Sequence, residues 1–245
     1  MSTTAALEIA VTSPAGAITA RDGGADRVEL CVGLELGGLT PSQALVETTH
    51  ETGIPAHALV RCRPGGFVHS PDEVDLMVRE VRTVLRSGAA GVVVGALRPD
   101  RTLDEDTLRR FVEAARSVSA TAEVTLHRAI DHATDPVAAA GSLAALGFTR
   151  VLTSGAAPTA VAGAATIARM VEAAGPVQVM AGAGVTPADV RALLATGAAA
   201  VHLSAKRPAA DSTHAGVPMG AGDDGSAHFV TDAEVVAAAR RALDA

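Results

Sequence analysis

The chain has 245 residues, 48% of them hydrophobic, and a formal net charge of -7 with no basic stripe. That length suits one α/β barrel domain, and the acidic balance argues against a nucleic-acid partner. Two cysteines are too few for a disulfide framework, the start lacks a basic-then-apolar leader, and no apolar run approaches the roughly 18 residues of a membrane span, so a soluble cytoplasmic protein is expected.

Apolar strand-like runs alternate with helical patterns throughout. In chain order, strands are expected at Leu7–Val11, Arg27–Cys31, Ala56–Arg61, Gly91–Gly95, Glu123–His127, Arg150–Ser154, Val177–Met180 and Ala199–Ser204. Helices are expected near 14–22, 41–52, 71–87, 104–118, 136–146, 158–174, 187–196 and 232–243. Unbroken runs such as Gly91-Val92-Val93-Val94-Gly95 indicate strands covered on both faces, as in parallel sheets.

Helix starts are marked by a capping oxygen before proline at Ser13-Pro14, Thr40-Pro41, Ser70-Pro71, Asp135-Pro136 and Thr186-Pro187. Glu73 and Glu234 add capping-box acids, the second behind Thr231. A faint repeat, Gly24-Ala25-Asp26-Arg27-Val28, recurs around Gly88, Gly147 and Gly197, each glycine closing a helix just before an even-numbered strand. Four βαβα units close naturally as a single-domain, TIM-like (β/α)8 barrel spanning 1–245. Residues 205–230, rich in Gly, Pro and Ser, read as a long loop before the last helix, either a flap over the barrel mouth or a disordered insertion.

Barrel chemistry gathers at the carboxyl ends of the strands. The stretch ending in His127, Arg128 and Asp131 fits that place. Side chains alternate along a strand, so Glu29 shares a face with Cys31, Thr125 with His127, and His202 with Ser204. Glu8 and Glu29 are costly to bury unpaired, which points them into the barrel towards Arg61, Arg63 or Arg128. His57 falls near the opposite end of its strand and reads as a lower-face residue. Glycines Gly182 and Gly184 after the seventh strand, and Ser204, Lys206 and Arg207 after the eighth, occupy the loops that bind phosphate in many barrels. Cys31 at the end of the second strand is the one candidate metal ligand, a thiolate suited to Cu(I), or else a small buried hydrophobe; its distance from Cys62 matches no paired-cysteine spacing.

These motifs together resemble the CutC family, named for copper homeostasis. The resemblance is carried by Gly23-Gly24-Ala25-Asp26-Arg27-Val28-Glu29-Leu30-Cys31, Gly37-Gly38-Leu39-Thr40-Pro41-Ser42, Leu126-His127-Arg128-Ala129-Ile130-Asp131, Val151-Leu152-Thr153-Ser154-Gly155 and His202-Leu203-Ser204-Ala205-Lys206-Arg207. It implies a TIM-like barrel, a cytosolic copper-homeostasis role with copper as ligand at Cys31, and a homodimer or homotetramer. Departures from the family pattern fall at Gly66, where an aspartate is usual, at His69, where a tyrosine is usual, and at Ala10 and Leu203, where some relatives carry cysteine.

Two functional readings follow. In one, the protein handles copper through Cys31. In the other, it is an enzyme of lyase, isomerase or hydrolase type acting on a small anionic or phosphorylated metabolite. The enzyme reading draws its catalytic candidates from Glu8, Glu29, His127 and Asp131. Its anion-binding candidates are Arg61, Arg63, Arg128 and Ser154 on one side and Gly182, Gly184, Ser204 and Lys206 on the other.

Overall fold

Eight parallel strands close on themselves in a computed structural model that describes residues 5–209 and 228–245. The strands are β1 (Ala6–Val11), β2 (Arg27–Leu30), β3 (Ala56–Leu59), β4 (Gly91–Val94), β5 (Glu123–Leu126), β6 (Arg150–Thr153), β7 (Gln178–Gly182) and β8 (Ala200–Leu203). Each pairs with the next, and β1 pairs with β8 to complete the (β/α)8 barrel. The helices are α1 (Pro14–Asp22), α2 (Gln43–His50), α3 (Pro71–Arg86), α4 (Glu105–Arg116), α5 (Pro136–Leu146), α6 (Ala164–Ala173), α7 (Val190–Leu194) and α8 (Ala233–Asp244). Among the described residues, none of them is long and apolar enough to cross a membrane.

Two apolar layers result from strand alternation. Outward residues such as Val28, Leu30, Val92, Val94 and Val151 join the helix faces in one continuous core. On α3 and α4 that face includes Met77, Val81, Leu108 and Phe111, each contributing about 1.5–3 kcal/mol on burial. Inside the barrel the apolar material is sparse, reduced to Cys31, Leu59 and Val93 on one side and Leu152, Met180 and Ala200 on the other. Much of the rest of the interior is polar, with Glu8, Arg27, Glu29, His57, Thr125 and Arg150 all buried.

The repeated glycines have the backbone their position demands. Gly24, Gly88, Gly147 and Gly197 all sit at φ between 87° and 101°, where a side chain would be strained, and each turns a helix into an even-numbered strand. Ser13, Ser70 and Asp135 cap their helices through side-chain oxygens, with the full capping box at Ser70 and Glu73.

Other boundaries move. The second helix is capped by Ser42, not Thr40; the Thr40 hydroxyl instead donates to Glu80 and accepts from the Arg61 amide. Asp232, not Thr231, caps the last helix, because Thr231 belongs to a strand. α6 starts at Ala164 rather than near 158, since the preceding loop folds back so closely that a Cβ on Gly163 would lie 1.9 Å from the Ser154 carbonyl. The seventh helix breaks into a 3₁₀ turn, Pro187–Asp189, and the short α7. The expected loop 205–230 begins and ends in an antiparallel pair, β9 (Lys206–Pro208) with β10 (Phe229–Thr231); the flap expected between them lies outside the described residues.

Candidate functional site

Register places the polar interior residues at defined heights. Glu8 lies beside Arg27 on one neighbour and His202 on the other, Ala10 lies beside Glu29, and Glu29 beside His57. The Glu8 carboxylate accepts from Arg27 Nε at 2.6 Å and from His202 Nδ1 at 2.8 Å. Because a carboxylate only accepts, that second bond fixes the proton on His202 Nδ1. His202 Nε2 then points to Glu29, 3.8 Å from Oε2. The sequence-level partners for Glu8 and Glu29 were Arg61, Arg63 and Arg128; the structure supplies Arg27 and His202 instead.

Electrostatics separates the two glutamates. Burial raises the pKa of both, but at Glu8 the His202 hydrogen bond and the Arg27 charge outweigh it and hold the carboxyl well below the ordinary carboxylate range. Glu29 lacks an arginine. Burial pushes it up to about 7, with the nearby His202 lowering it only in part. His202 itself is pulled down by burial and pulled up more strongly by its bond to Glu8 and the charge of Glu29, so it holds a proton more firmly than free histidine. Glu29, raised to about 7, and His202, raised above its ordinary value and oriented by the ionised Glu8, are two proton-exchanging groups side by side, an arrangement suited to acid–base chemistry.

Below this level the barrel closes with a second cluster, joined to the first through His57 Nδ1, 4.0 Å from Glu8 Oε2. Arg150 donates to Glu123 at 2.8 Å and lies 3.3 Å from His57 Nδ1, while His57 Nε2 is 3.3 Å from Glu123. Burial lowers the His57 pKa to about 4, so the ring is neutral at pH 7. It lines a cleft at the lower face together with Arg27 and Glu123.

Above it opens the barrel mouth, a cavity of about 530 Å³. Glu29, His127, His202 and Arg128 form part of its wall, and Arg61, Gly184, Ser204 and Lys206 surround the upper part. Cations outnumber the single carboxylate there, although the chain as a whole is acidic. The amides of Gly184 and Val185 and the Ser204 hydroxyl donate to no acceptor among the described residues. Lys206 is exposed, its ammonium 4.1 Å from the centre of the Phe229 ring.

The remaining sequence-level candidates have other work. Arg61 lines the mouth, yet its guanidinium donates to the carbonyls of Leu36, Gly38 and Gly65, joining two loops. Arg63 turns away to Glu73, the capping acid of α3, and does not line the cavity. Asp131 is a buried anchor beneath Arg128, accepting from Arg128 Nε at 2.8 Å, Thr153 Oγ1 at 2.5 Å and the Ser154 and Ala156 amides. Ser154 is bound into that anchor. Gly182 is packed against Leu152 and His202, and a Cβ there would lie 2.6 Å from Leu152 Cδ1. Its glycine serves close packing rather than anion binding. His127 accepts from the Ala129 amide through Nδ1, stacks 4.9 Å from Phe67, and lies over Gly95. That acceptor role puts its proton on Nε2, and burial with the nearby Arg61 holds its pKa down to about 3, so the ring is neutral near pH 7.

Cys31 faces inward but is covered by Leu34, Leu59 and Val93, whereas Cys62 packs on the outer, helix-side core. Among the described residues, no three His, Cys, Asp or Glu side chains group as a metal set. Burial, with Glu29 and Glu35 nearby, pushes the Cys31 thiol far above its ordinary value. Cu(I) is bound by thiolates, so a lone, protonated, covered thiol does not fit it.

Sequence reasoning missed Arg27 and His202. Arg27 reads only as the first residue of the second strand, and His202 only as sharing a face with Ser204.

Comparison with known proteins places the site in context. The model of the CutC family matches residues 5–207. A family protein CutC from Xanthomonas campestris pv. campestris is 46% identical over 215 residues, covering 86% of this chain and 88% of its own. One from Agrobacterium fabrum is 43% identical over 189 residues, covering 77% and 74%. Among solved structures, a Streptococcus agalactiae protein named for copper homeostasis, CutC, superposes with a TM-score of 0.74 at 25% identity, covering 82% of this chain and 98% of its own. Thiamine phosphate pyrophosphorylase from Pyrococcus furiosus, at 16% identity and TM-score 0.59, shares the fold.

Proposed function

The chain belongs to the CutC family, and from that premise we propose that its barrel mouth binds a small anionic molecule and moves a proton on it. The observation that carries this reading is the position of His202, bonded to Glu8 on one side and facing Glu29 on the cavity wall on the other. Glu29 and His202 exchange protons with the bound molecule. Glu8, kept ionised by Arg27, holds His202 in the tautomer that leaves Nε2 facing the cavity. Gly184, Val185, Ser204 and Lys206 hold the anionic end through two amides, a hydroxyl and a positive charge. The cytosolic placement is part of the proposal and is supported by two thiols that remain free.

Inorganic phosphate, followed by amide shifts in NMR, tests the anion site. Shifts are expected at Gly184, Val185 and Lys206, and Lys206→Ala should weaken the affinity about tenfold, as loss of one charge-assisted contact would. Equal affinity in the variant, or shifts elsewhere, would remove the site from the mouth.

Copper binding, which the family name suggests, is drawn here only from Cys31, and the covered thiol gives it little support. A competitive Cu(I) titration of reduced protein is expected to show no tight stoichiometric binding, and Cys31→Ser should leave the curve unchanged. Tight binding lost in that variant would restore the copper reading.

A further inference from the structure

Resting on that reading of the mouth, the geometry points to a substrate class: we propose that the protein enolises small α-hydroxy carbonyl compounds that carry a phosphate or similar anionic group a few bonds from the reacting carbons. Glu29 takes the proton from carbon, and His202 gives its Nε2 proton to the neighbouring carbonyl oxygen.

The argument starts from the spacing of the pair. His202 Nε2 and Glu29 Oε2 are 3.8 Å apart and both belong to the cavity wall. Two groups this close, each within hydrogen-bond reach of a ligand atom, can act on substituents of two adjacent atoms of one molecule. The hydrogen on one carbon and the oxygen of the neighbouring carbonyl are such a pair.

The second support is the way His202 is held. Its Nδ1 proton is committed to Glu8, whose other oxygen is bonded to Arg27. When Nε2 gives up its proton, the ring becomes neutral without rearrangement, and Glu8 stays in place to favour the return of the charge. Glu29 has no such arginine, so it is free to accept and release a proton; its pKa near 7 keeps both forms available at neutral pH.

The third is what the wall offers besides. Ser204, a hydroxyl on the cavity wall, meets no base among the described residues, and Lys206 sits charged over an aromatic ring. Neither is arranged as a nucleophile, whereas both suit an anion. Ser204 follows His202 by two residues, about 7 Å further along the strand direction. A group bound at Ser204, Gly184 and Lys206 therefore lies several bonds from the atoms that Glu29 and His202 reach.

The step balances. The C–H bond breaks and its proton goes to the Glu29 carboxylate. The electron pair forms a carbon–carbon double bond as the carbonyl oxygen takes the proton of His202 Nε2, giving an enediol. In the return, Glu29 delivers its proton to either carbon and the enediol hydroxyl restores the proton to Nε2. No oxidant, reductant or second substrate is required.

The test is proton exchange in deuterium oxide, followed by loss of the α-carbon proton signal in three-, four- and five-carbon 2-ketose monophosphates. Wild-type protein is expected to accelerate exchange with at least one of them. Glu29→Gln and His202→Gln should each slow it by about 100-fold or more, while Glu29→Asp keeps a reduced, pH-dependent rate. Lys206→Ala should raise the half-saturating concentration about tenfold. If wild type catalyses no exchange with any of the three while inorganic phosphate still shifts the Gly184 and Val185 amides, enolisation is overturned and the anion site stands. If phosphate leaves those amides unmoved as well, both readings fall together. Exchange that is equally fast in Glu29→Gln overturns the assignment of the base.

Discussion

Replacing Arg27 by methionine is expected to destabilise the fold by about 3–5 kcal/mol at neutral pH, because it strands a buried carboxylate. Glu8 is 1% exposed, and Arg27 lies 2.6 Å from it. Methionine fills most of the vacated volume beside Met180, which the guanidinium also touches, so a cavity is not the main loss. Charge is. In the native protein the Glu8 pKa is held well down, and its contribution to stability is present above the ordinary value of 4.5 and is lost only as pH falls through the depressed one. Without Arg27 the balance tips towards desolvation, and the ionised carboxylate becomes a liability wherever it persists. The deficit should therefore shrink as the pH is lowered to about 4, where Glu8 can take up a proton. Urea unfolding at both pH values measures this. The double variant Arg27→Met with Glu8→Gln should recover much of the neutral-pH loss, since it removes the stranded charge. A deficit that is the same at both pH values and in the double variant would show that packing, not the ion pair, holds the barrel floor.

The contrast between Arg27 and its sequence-level rivals shows which information is local. Helix starts at Ser13, Ser70 and Asp135, and the turns at Gly24, Gly88, Gly147 and Gly197, depend on a few consecutive residues, and the sequence displays them directly. Alternation likewise turns Glu8, Glu29 and His202 inward. Depth is another matter. It depends on the stagger between strands and on β1 meeting β8, a contact between residues 194 positions apart. Nothing local says that Glu8 lies level with His202 and Arg27 rather than with Arg61. Arg63 shows the opposite case. Glu73 was already legible as a capping acid, and a carboxylate ten residues away on an adjoining element was the signal that Arg63 has a partner outside the mouth. Asp131 sits at the end of a polar motif, but the amides and hydroxyl it collects come from the loop after β6, and only the fold brings them together.

Glu29→Gln is expected to raise stability at about pH 8 by about 3 kcal/mol and to leave it nearly unchanged at about pH 4. The folded-state pKa of about 7 lies above the ordinary 4.5, so the protonated form is the one the fold prefers. A raised value means that the associated stability is fully present below 4.5 and is lost as pH climbs through 7, and a gap of that size corresponds to about 3 kcal/mol once the group is fully ionised. Glutamine copies the shape of the protonated acid and never ionises. Part of the gain is offset because His202 owes some of its raised pKa to the Glu29 charge. On the acid side, His57 and His127, whose folded values lie below the ordinary 6.5, lose stability as pH falls through that value, and Glu8 follows at lower pH. Two depressed histidines outweigh one raised glutamate between 4.5 and 6.5, so wild type should be most stable at about pH 6 to 6.5, and the variant should extend that window upward. Urea midpoints for both proteins across about pH 4 to 8 decide it; parallel profiles would mean that Glu29 carries no such strain. The direction matters more than the size. A carboxylate that only joins a structural ion pair weakens the fold when it is neutralised, as loss of Arg27 or Glu8 alone should. A carboxylate whose replacement strengthens the fold while abolishing proton exchange is held against the interest of stability, and that is how a catalytic base differs from its structural neighbours.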